Sequence, residues 1–350
     1  MGRPARDDNR WLWDAAKVIV LAVAIVVAVL LLWQLSGVLL LVFGAILVAT
    51  LLRAAAAPIE RFTPLSRRWA VIIAALLIGA VVVGFLVMLG DRILAQAQLL
   101  IENLPSIVAA AEDRLGIEGL GEWLDRQRFA VLTNGQWVIN VAGFSTSAFS
   151  VAAQVLVVVA GGIYFALAPQ DNVEGLVMLV PESQQALARD TLVTVGSALR
   201  LWLLGQLVAM AMVGTLVTAG LWLLGVQGAL VLGLIAGLFD FVPLVGPVAA
   251  AVPAVVVGLA DSPATALWVA GLYFVVQQIE TIVITPLVQQ YSVELPPILT
   301  LFAIFAFGTL LGPLGVLVAT PLAVVGLVVV KKLWMREVLR EDVEVPGEEG

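Results

Sequence analysis

The chain contains no cysteine and no histidine. The first absence excludes disulfides and thiolate chemistry. The second removes the side chain that most often serves as a general base near neutral pH. Basic charge is missing from one long stretch: between Arg200 and Lys331 lie 130 positions without Lys or Arg. Four carboxylates fall inside it: Asp240, Asp261, Glu280 and Glu294. Acids in apolar surroundings are costly without a partner, and in membranes they usually face a pathway or cavity. No cation nearby in sequence can pair with these four. Each must be protonated, bound to a cation, hydrogen-bonded, hydrated, or paired with a distant segment.

Charge of either sign is scarce throughout. Charged residues make up 12% of the 350 residues and hydrophobic ones 62%, with a mean hydropathy of +1.08. A soluble domain carries about 25% charged residues. The fold class implied is an all-α polytopic membrane protein. A transmembrane barrel would alternate apolar and polar residues over roughly 10-residue strands, and continuous runs such as Val18–Leu32 do not. The net charge of −7 and the lack of a basic patch argue against nucleic acid. No zinc-ligand cluster is present, and nothing implies a cofactor or metal.

A span needs about 20 apolar residues. Val18–Leu35 and Val38–Leu52 give two, joined at Ser36-Gly37, and the second can extend into Ala54–Ala57. The run after Arg3, Arg6, Arg10 and Lys17 has no clear small-residue cleavage site, so it reads as a retained first span. Arg53, Arg61, Arg67 and Arg68 form a basic loop with Pro58 and Pro64, and Trp69–Leu89 is a third span. From Asp91 to about Phe144 the chain is mixed in charge. Ile93, Leu94, Ala97, Leu100, Ile101 and Leu104 recur at helical spacing, and Trp123 and Trp137 suit a membrane interface. Ser147–Ala168 is a fourth span, stopped by Pro169. Beyond a polar segment, Pro181 precedes a helix start near Glu182 or Ser183, and Leu199–Leu224 spans again.

Two later stretches are too long for simple spans. Ala229–Ala260 would measure about 48 Å as unbroken helix against about 30 Å of hydrocarbon, and Ile298–Val330 is similar. Each holds a Pro/Gly interruption, Pro243-Leu244-Val245-Gly246-Pro247 in the first and Gly312-Pro313-Leu314-Gly315 in the second. A broken or re-entrant hairpin is expected in each, with Ala264–Ile284 an ordinary span between them, ended by Pro286. Pro253-Ala-Val-Val-Val-Gly258 resembles Pro321-Leu-Ala-Val-Val-Gly326 at an offset of 68, which pairs the two hairpins as a weak repeat; chance matches are common in so apolar a chain. Gly233 and Gly237 have GxxxG spacing, which 31 glycines make nearly expected.

These elements divide the chain into a three-span bundle (1–90), an extracytoplasmic helical unit (91–146), a fourth span with a cytoplasmic segment (147–198), a half built on the two hairpins (199–330) and an acidic tail (331–350). Cations at the N-terminus, in the Arg53–Arg68 loop and in the tail place both termini in the cytoplasm by the positive-inside rule. About eight membrane elements satisfy that orientation.

Glu280 is the sharpest site candidate. Gln277, Glu280, Thr281 and Thr285 share a helical face by i+3 and i+4 spacing. A buried carboxylate there suits a proton, a cation or a hydrogen-bonding solute; the plainer reading is a Glu bonded to backbone freed at a break. Asp240 lies three residues before Pro243, where a helix must fail. Its side chain either caps freed N–H groups or lines a cavity. Pro243, Gly246 and Pro247 can free carbonyls toward a ligand, or simply kink the chain for packing. Gly312 and Pro313 are the corresponding residues of the second hairpin. Gln206 suits a cross-helix hydrogen bond or a cavity wall. Asp261-Ser262-Pro263 reads as a helix cap followed by proline in the first turn, and Glu294 as an interfacial loop residue.

Gly205-Gln206, Gly225-Val226, Gly237-Leu-Phe-Asp-Phe-Val-Pro-Leu-Val-Gly-Pro247 and Pro253 resemble the AI-2E family of membrane transporters. The similarity continues through Gln277-Gln278-Ile279-Glu280, Thr285-Pro286, Pro296 and Gly312–Pro321, and Leu51-Leu52-Arg53 also fits. It covers essentially the whole chain and is most specific over Arg200–Leu327. Members often carry Asn or Gly where this chain has Thr281. The resemblance implies a secondary permease in the cytoplasmic (inner) membrane exporting a small hydrophilic organic solute, autoinducer-2-like furanones being the name-giving cargo. It also implies a homo-oligomer, with a pentamer as one such assembly. No Walker motif is present, so coupling would come from protons, monovalent cations or downhill flow. A monovalent cation/proton antiporter and a non-transporting membrane scaffold are the alternatives. An enzyme is not expected.

Overall fold

The computed structural model describes residues 10–84, 87, 153–290 and 292–348. The expected extracytoplasmic unit at 91–146 lies outside them. Among the described residues there is no strand. Five helices among these residues are long and apolar enough to cross a membrane, or six if one sharply bent pair counts as a single span. The chain is an all-α polytopic membrane protein.

The first helices are α1 (Arg10–Gln34), α2 (Ser36–Phe62) and α3 (Arg67–Gly84). α2 continues ten residues past Leu52, through Pro58. Arg53 and Arg61 therefore sit on a helix, and the expected loop shrinks to the turn before Arg67. α4 (Ala153–Leu167) meets α5 (Pro169–Val177) at 90°. Pro169 stands at the first position of α5, where its missing N–H is harmless to the new helix.

α6 (Gln185–Leu223) has 39 residues, or about 58 Å of unbroken helix. It follows a 3₁₀ turn at Glu182–Gln184, where Pro181 placed a helix start. The expected span at Leu199 is thus the later part of a helix already running, which crosses position 198 without a break. Its polar first turns emerge from the apolar run, and a hydrophobicity reading trims them away.

The next two helices, α7 (Ala229–Phe239) and α8 (Val245–Asp261), form the first hairpin. A Cβ on Gly246 would overlap the Phe239 carbonyl oxygen, so the two arms touch through backbone. The reversal itself falls on Leu244 (φ 69°, ψ −49°), whose flanks are closed by Val245 N–H donating to the Pro243 carbonyl at 2.8 Å. That is a γ-turn of the strained hand. The left-handed residue is therefore a leucine and not one of the motif's glycines. Gly246 serves close approach instead.

α9 (Pro263–Ile279), a π-helical segment (Glu280–Ile284) and α10 (Thr285–Gln289) run on as one rod. Pro286 does not end it. Proline removes one backbone donor, and the wider π turn just before it absorbs the misfit.

α11 (Pro297–Val329) holds the second hairpin. Gly312 (φ 69°, ψ −153°) adopts a conformation open in practice only to glycine. A Cβ on Gly315 would overlap the Phe307 carbonyl oxygen. This repeats the Gly246–Phe239 apposition, and Phe307 follows Phe239 at the same offset of 68 that relates Pro321 to Pro253. A second π segment, Val330–Val338, continues α11, and the chain then turns back.

Three apolar clusters hold these parts. Val213, Val217 and Leu221 of α6 pack with α7, α8 and α9. Ala198, Leu199 and Trp202 pack with the outgoing half of α11. Ala49, Leu52 and Ala56 pack with α3 and α4. The α6–α7 crossing is closest where Gly214 meets Gly233 and Gly237; a Cβ on Gly237 would stand 2.6 Å from the Met210 carbonyl oxygen. The GxxxG spacing is therefore a real contact face.

Candidate functional site

The break between α7 and α8 carries Asp240 at the C-terminal end of α7. The residue is 2% exposed, and neither carboxylate oxygen has a hydrogen-bond partner among the described residues. The side chain therefore does not cap the break. α6 holds the break in place by other means: Gln206 Nε2 donates to the Asp240 backbone carbonyl at 2.8 Å. One turn earlier, Trp202 packs edge-on against Phe241, ring centroids 5.8 Å apart. The cross-helix role expected for Gln206 is present, and so is the cavity-wall role.

Glu280 opens the π segment of the α9 rod. Such segments recur at functional sites because they shift side chains out of α register. Gln277 Nε2 donates to Glu280 Oε2 at 2.8 Å, and Thr281 Oγ1 donates to the Gln277 carbonyl at 2.9 Å. The polar stripe Gln277, Glu280, Thr281 and Thr285 faces one cavity of about 260 Å³.

That cavity brings together Gln206, Asp240, Pro243, Gln277, Glu280 and Thr281. The two carboxylates lie close enough to feel each other's charge. Among the described residues, no Lys or Arg lines the space. Gly246 and Pro247 are not in its wall; they occupy the first turn of α8. Gly312 and Pro313 also lie elsewhere, along an open groove with Ile304, Phe305, Gly308 and Val316.

The other two acids of the cation-free stretch have local partners or solvent. Ser262 Oγ caps α9 by accepting from Thr265 N–H at 3.0 Å, and Asp261 Oδ2 accepts from Thr265 Oγ1 at 2.6 Å. The cap is thus Ser262, one residue later than the acid, with Pro263 in the first turn as expected. Glu294 is exposed in the segment before α11.

Sequence reasoning missed Trp202, Leu244, Thr300 and Thr320, which also line the cavity. Trp202 stands four residues before Gln206 on the same face of α6, so the polar residue could have pointed to it. The threonines left only a faint signal, two hydroxyls in apolar runs.

The wall offers carboxylate, amide and hydroxyl groups around a water-sized to solute-sized space. With no cation from the described residues, it suits a neutral donor-rich molecule or a positive charge and disfavours an anion. No cluster of three or more Asp or Glu side chains forms a metal site among the described residues.

A family model described as AI-2E family transporter matches residues 19–335. YueF of Bacillus subtilis is 35% identical over 117 residues, 33% of this chain and 32% of that protein. YrrI of the same organism is 30% identical over 143 residues, covering 41% and 40%. YhhT of Escherichia coli is 32% identical over 123 residues, covering 35% and 34%. All three are named as candidate transport proteins. The matched segments span about a third to two-fifths of these relatives.

Proposed function

Taking as premise that the chain belongs to the AI-2E transporter family, we propose that it is a secondary permease for a small hydrophilic organic solute. The observation that carries this is the Asp240–Glu280 cavity at the mouth of a broken hairpin. Broken helices in transporters commonly build the site near the bilayer midplane, where freed backbone and a few polar side chains meet the cargo. Here Asp240 and Glu280 accept from the solute, Gln277 orients Glu280, and Gln206 fixes the break on α6. Export across the cytoplasmic membrane, with both termini in the cytoplasm and an autoinducer-2-like cargo, is the direction the family and the basic segments favour. Homo-oligomer assembly belongs to the same reading. None of the chemistry calls for bond making, so the protein acts without catalysis.

A second reading is a monovalent cation/proton antiporter. It is favoured by one specific observation, the buried Asp240 carboxyl set beside that of Glu280 in a cavity where no described residue supplies a counter-charge. Protons or a monovalent cation would then be exchanged at the Asp240–Glu280 pair.

Flux measured on purified protein in sealed liposomes, across a panel of solutes and ions, tests both. Solute counterflow that Glu280→Gln renders insensitive to pH between about 5 and 8 supports the coupled permease. Cation-driven pH change without solute flux supports the antiporter. Intact folding with no flux of any kind points to a membrane scaffold and overturns both.

A further inference from the structure

Far from the cavity in sequence, the chain ends its described course by folding back on itself. Lys332, in the π segment after α11, is 2% exposed. Its ammonium meets Thr194 Oγ1 at 2.6 Å, Asp190 Oδ2 at 2.7 Å and Glu348 Oε1 at 2.8 Å. An ammonium has three N–H donors, and here each has an acceptor. Two of the acceptors belong to α6 and one to the returning tail. Arg336 holds Glu348 from the other side, Nη1 lying 2.8 Å from each carboxylate oxygen, and its Nη2 donates to the Val343 carbonyl at 2.7 Å. Val345 enters the apolar cluster with Ala198 and Leu199 of α6 and with the outgoing half of α11. Gly347 (φ 89°) lies flat on α6: a Cβ there would stand 2.6 Å from Ala198 N and 2.7 Å from the Thr194 carbonyl oxygen. Both its dihedral and its clearance require glycine.

Both helices joined here supply part of the cavity wall. α6 supplies Trp202 and Gln206, and α11 supplies Thr300 and Thr320. A clamp at the end of α11 therefore limits how far those two walls can part. Its material is mostly polar. One valine is inserted, Asp190 is 65% exposed and Arg336 is 35% exposed. The outer contacts of Asp190 and Arg336 open at modest cost where water replaces them, whereas the buried Lys332 ammonium must be rehydrated when Glu348 leaves.

We propose that residues Leu339–Glu348 form a latch that fastens the end of α11 to α6 through Lys332 and Glu348, holds the cavity walls together and slows the transport cycle. The proposal rests on the transport reading for its effect on flux, and on geometry alone for its effect on the walls.

The absence of native cysteine allows a reversible test in the full chain. The Asp190→Cys/Glu348→Cys double variant places thiols on the two acids that share Lys332. In liposomes, oxidation to the disulfide is expected to slow solute flux about tenfold, a usual size for coupling between sites. Reduction restores it to at or above the rate of the unaltered protein. Glu348→Gln raises the maximal rate with an unchanged half-saturation concentration. Hydrogen exchange read on the same proteins is expected to quicken in Glu348→Gln at residues 240–244 and 307–315. Faster exchange with no flux in the unaltered protein upholds the latch and removes the transport reading. Flux and exchange that ignore both the disulfide and Glu348→Gln overturn the latch.

Discussion

The two hairpins are built alike and equipped differently. In each, a glycine lies against a phenylalanine carbonyl oxygen, Gly246 on Phe239 and Gly315 on Phe307. In each, an outgoing arm carries an internal proline, Pro253 or Pro321. The first reverses at a strained leucine and buries an acid beside a second acid, Glu280. The second reverses at a glycine and borders an apolar groove in which Thr309 spends its hydroxyl on the Ala306 carbonyl. The same backbone device thus serves chemistry in one place and shape in the other. Proline and glycine mark where a helix fails; in the proposed transport reading, the acid beside the failure marks which one meets the cargo.

The largest expected effect breaks this contrast at its polar end. Asp240→Asn is expected to lower flux about 10- to 100-fold, the factor for losing a hydrogen bond or two to a charged group. Thr309→Val, in the second hairpin, is expected to leave half-saturation and rate within about twofold. Liposome flux on both variants checks the pair, and equal losses would erase the distinction.

A smaller effect tests what the hairpins share. Gly246→Ala and Gly315→Ala each force a methyl into a backbone contact and are expected to destabilise by about 1–3 kcal/mol. Thermal unfolding in detergent reads this. Only Gly246→Ala should also change flux, because its arm meets Asp240.

The smallest effect separates the outgoing arms. The second has the Glu348 tail at its end. Lys332, hydrogen-bonded to Glu348, holds that carboxyl below the usual carboxylate range, with Arg336 adding to it. A depressed carboxylate contributes stability above its unfolded value and loses it as pH falls through the folded one. The tail is therefore expected to stay docked as pH falls through the ordinary carboxylate range and to release only below it. Hydrogen exchange at Val343–Glu348 across an acid series reads the midpoint.

Much of this was legible in the residues. The scarcity of charge gave the helical membrane class, and both interruptions mark real breaks. The i+3 and i+4 spacing of Gln277, Glu280, Thr281 and Thr285 put them on one face, where the cavity lies. The cap before α9 was one residue off, because Ser262 reaches the N–H that Asp261 cannot. Other features depend on distant partners and left little local trace. Leu244 takes the left-handed turn because both arms are already fixed. Gly233 and Gly237 matter because Gly214 faces them across 19 and 23 residues of sequence. Lys332 read as one of several tail cations, since its acceptors on α6 lie over 130 residues away.

The Gly214 seam between α6 and α7 has one more consequence. A joint made of side chains has slack, because rotamers can give way and re-form. This joint is backbone on backbone, with Thr218 Oγ1 also filling the space over Gly233. It behaves as a weld and not as a bearing. α6 and α7 therefore form one wall as a single piece, and any parting of the cavity walls falls to the contacts that α6 makes with α11.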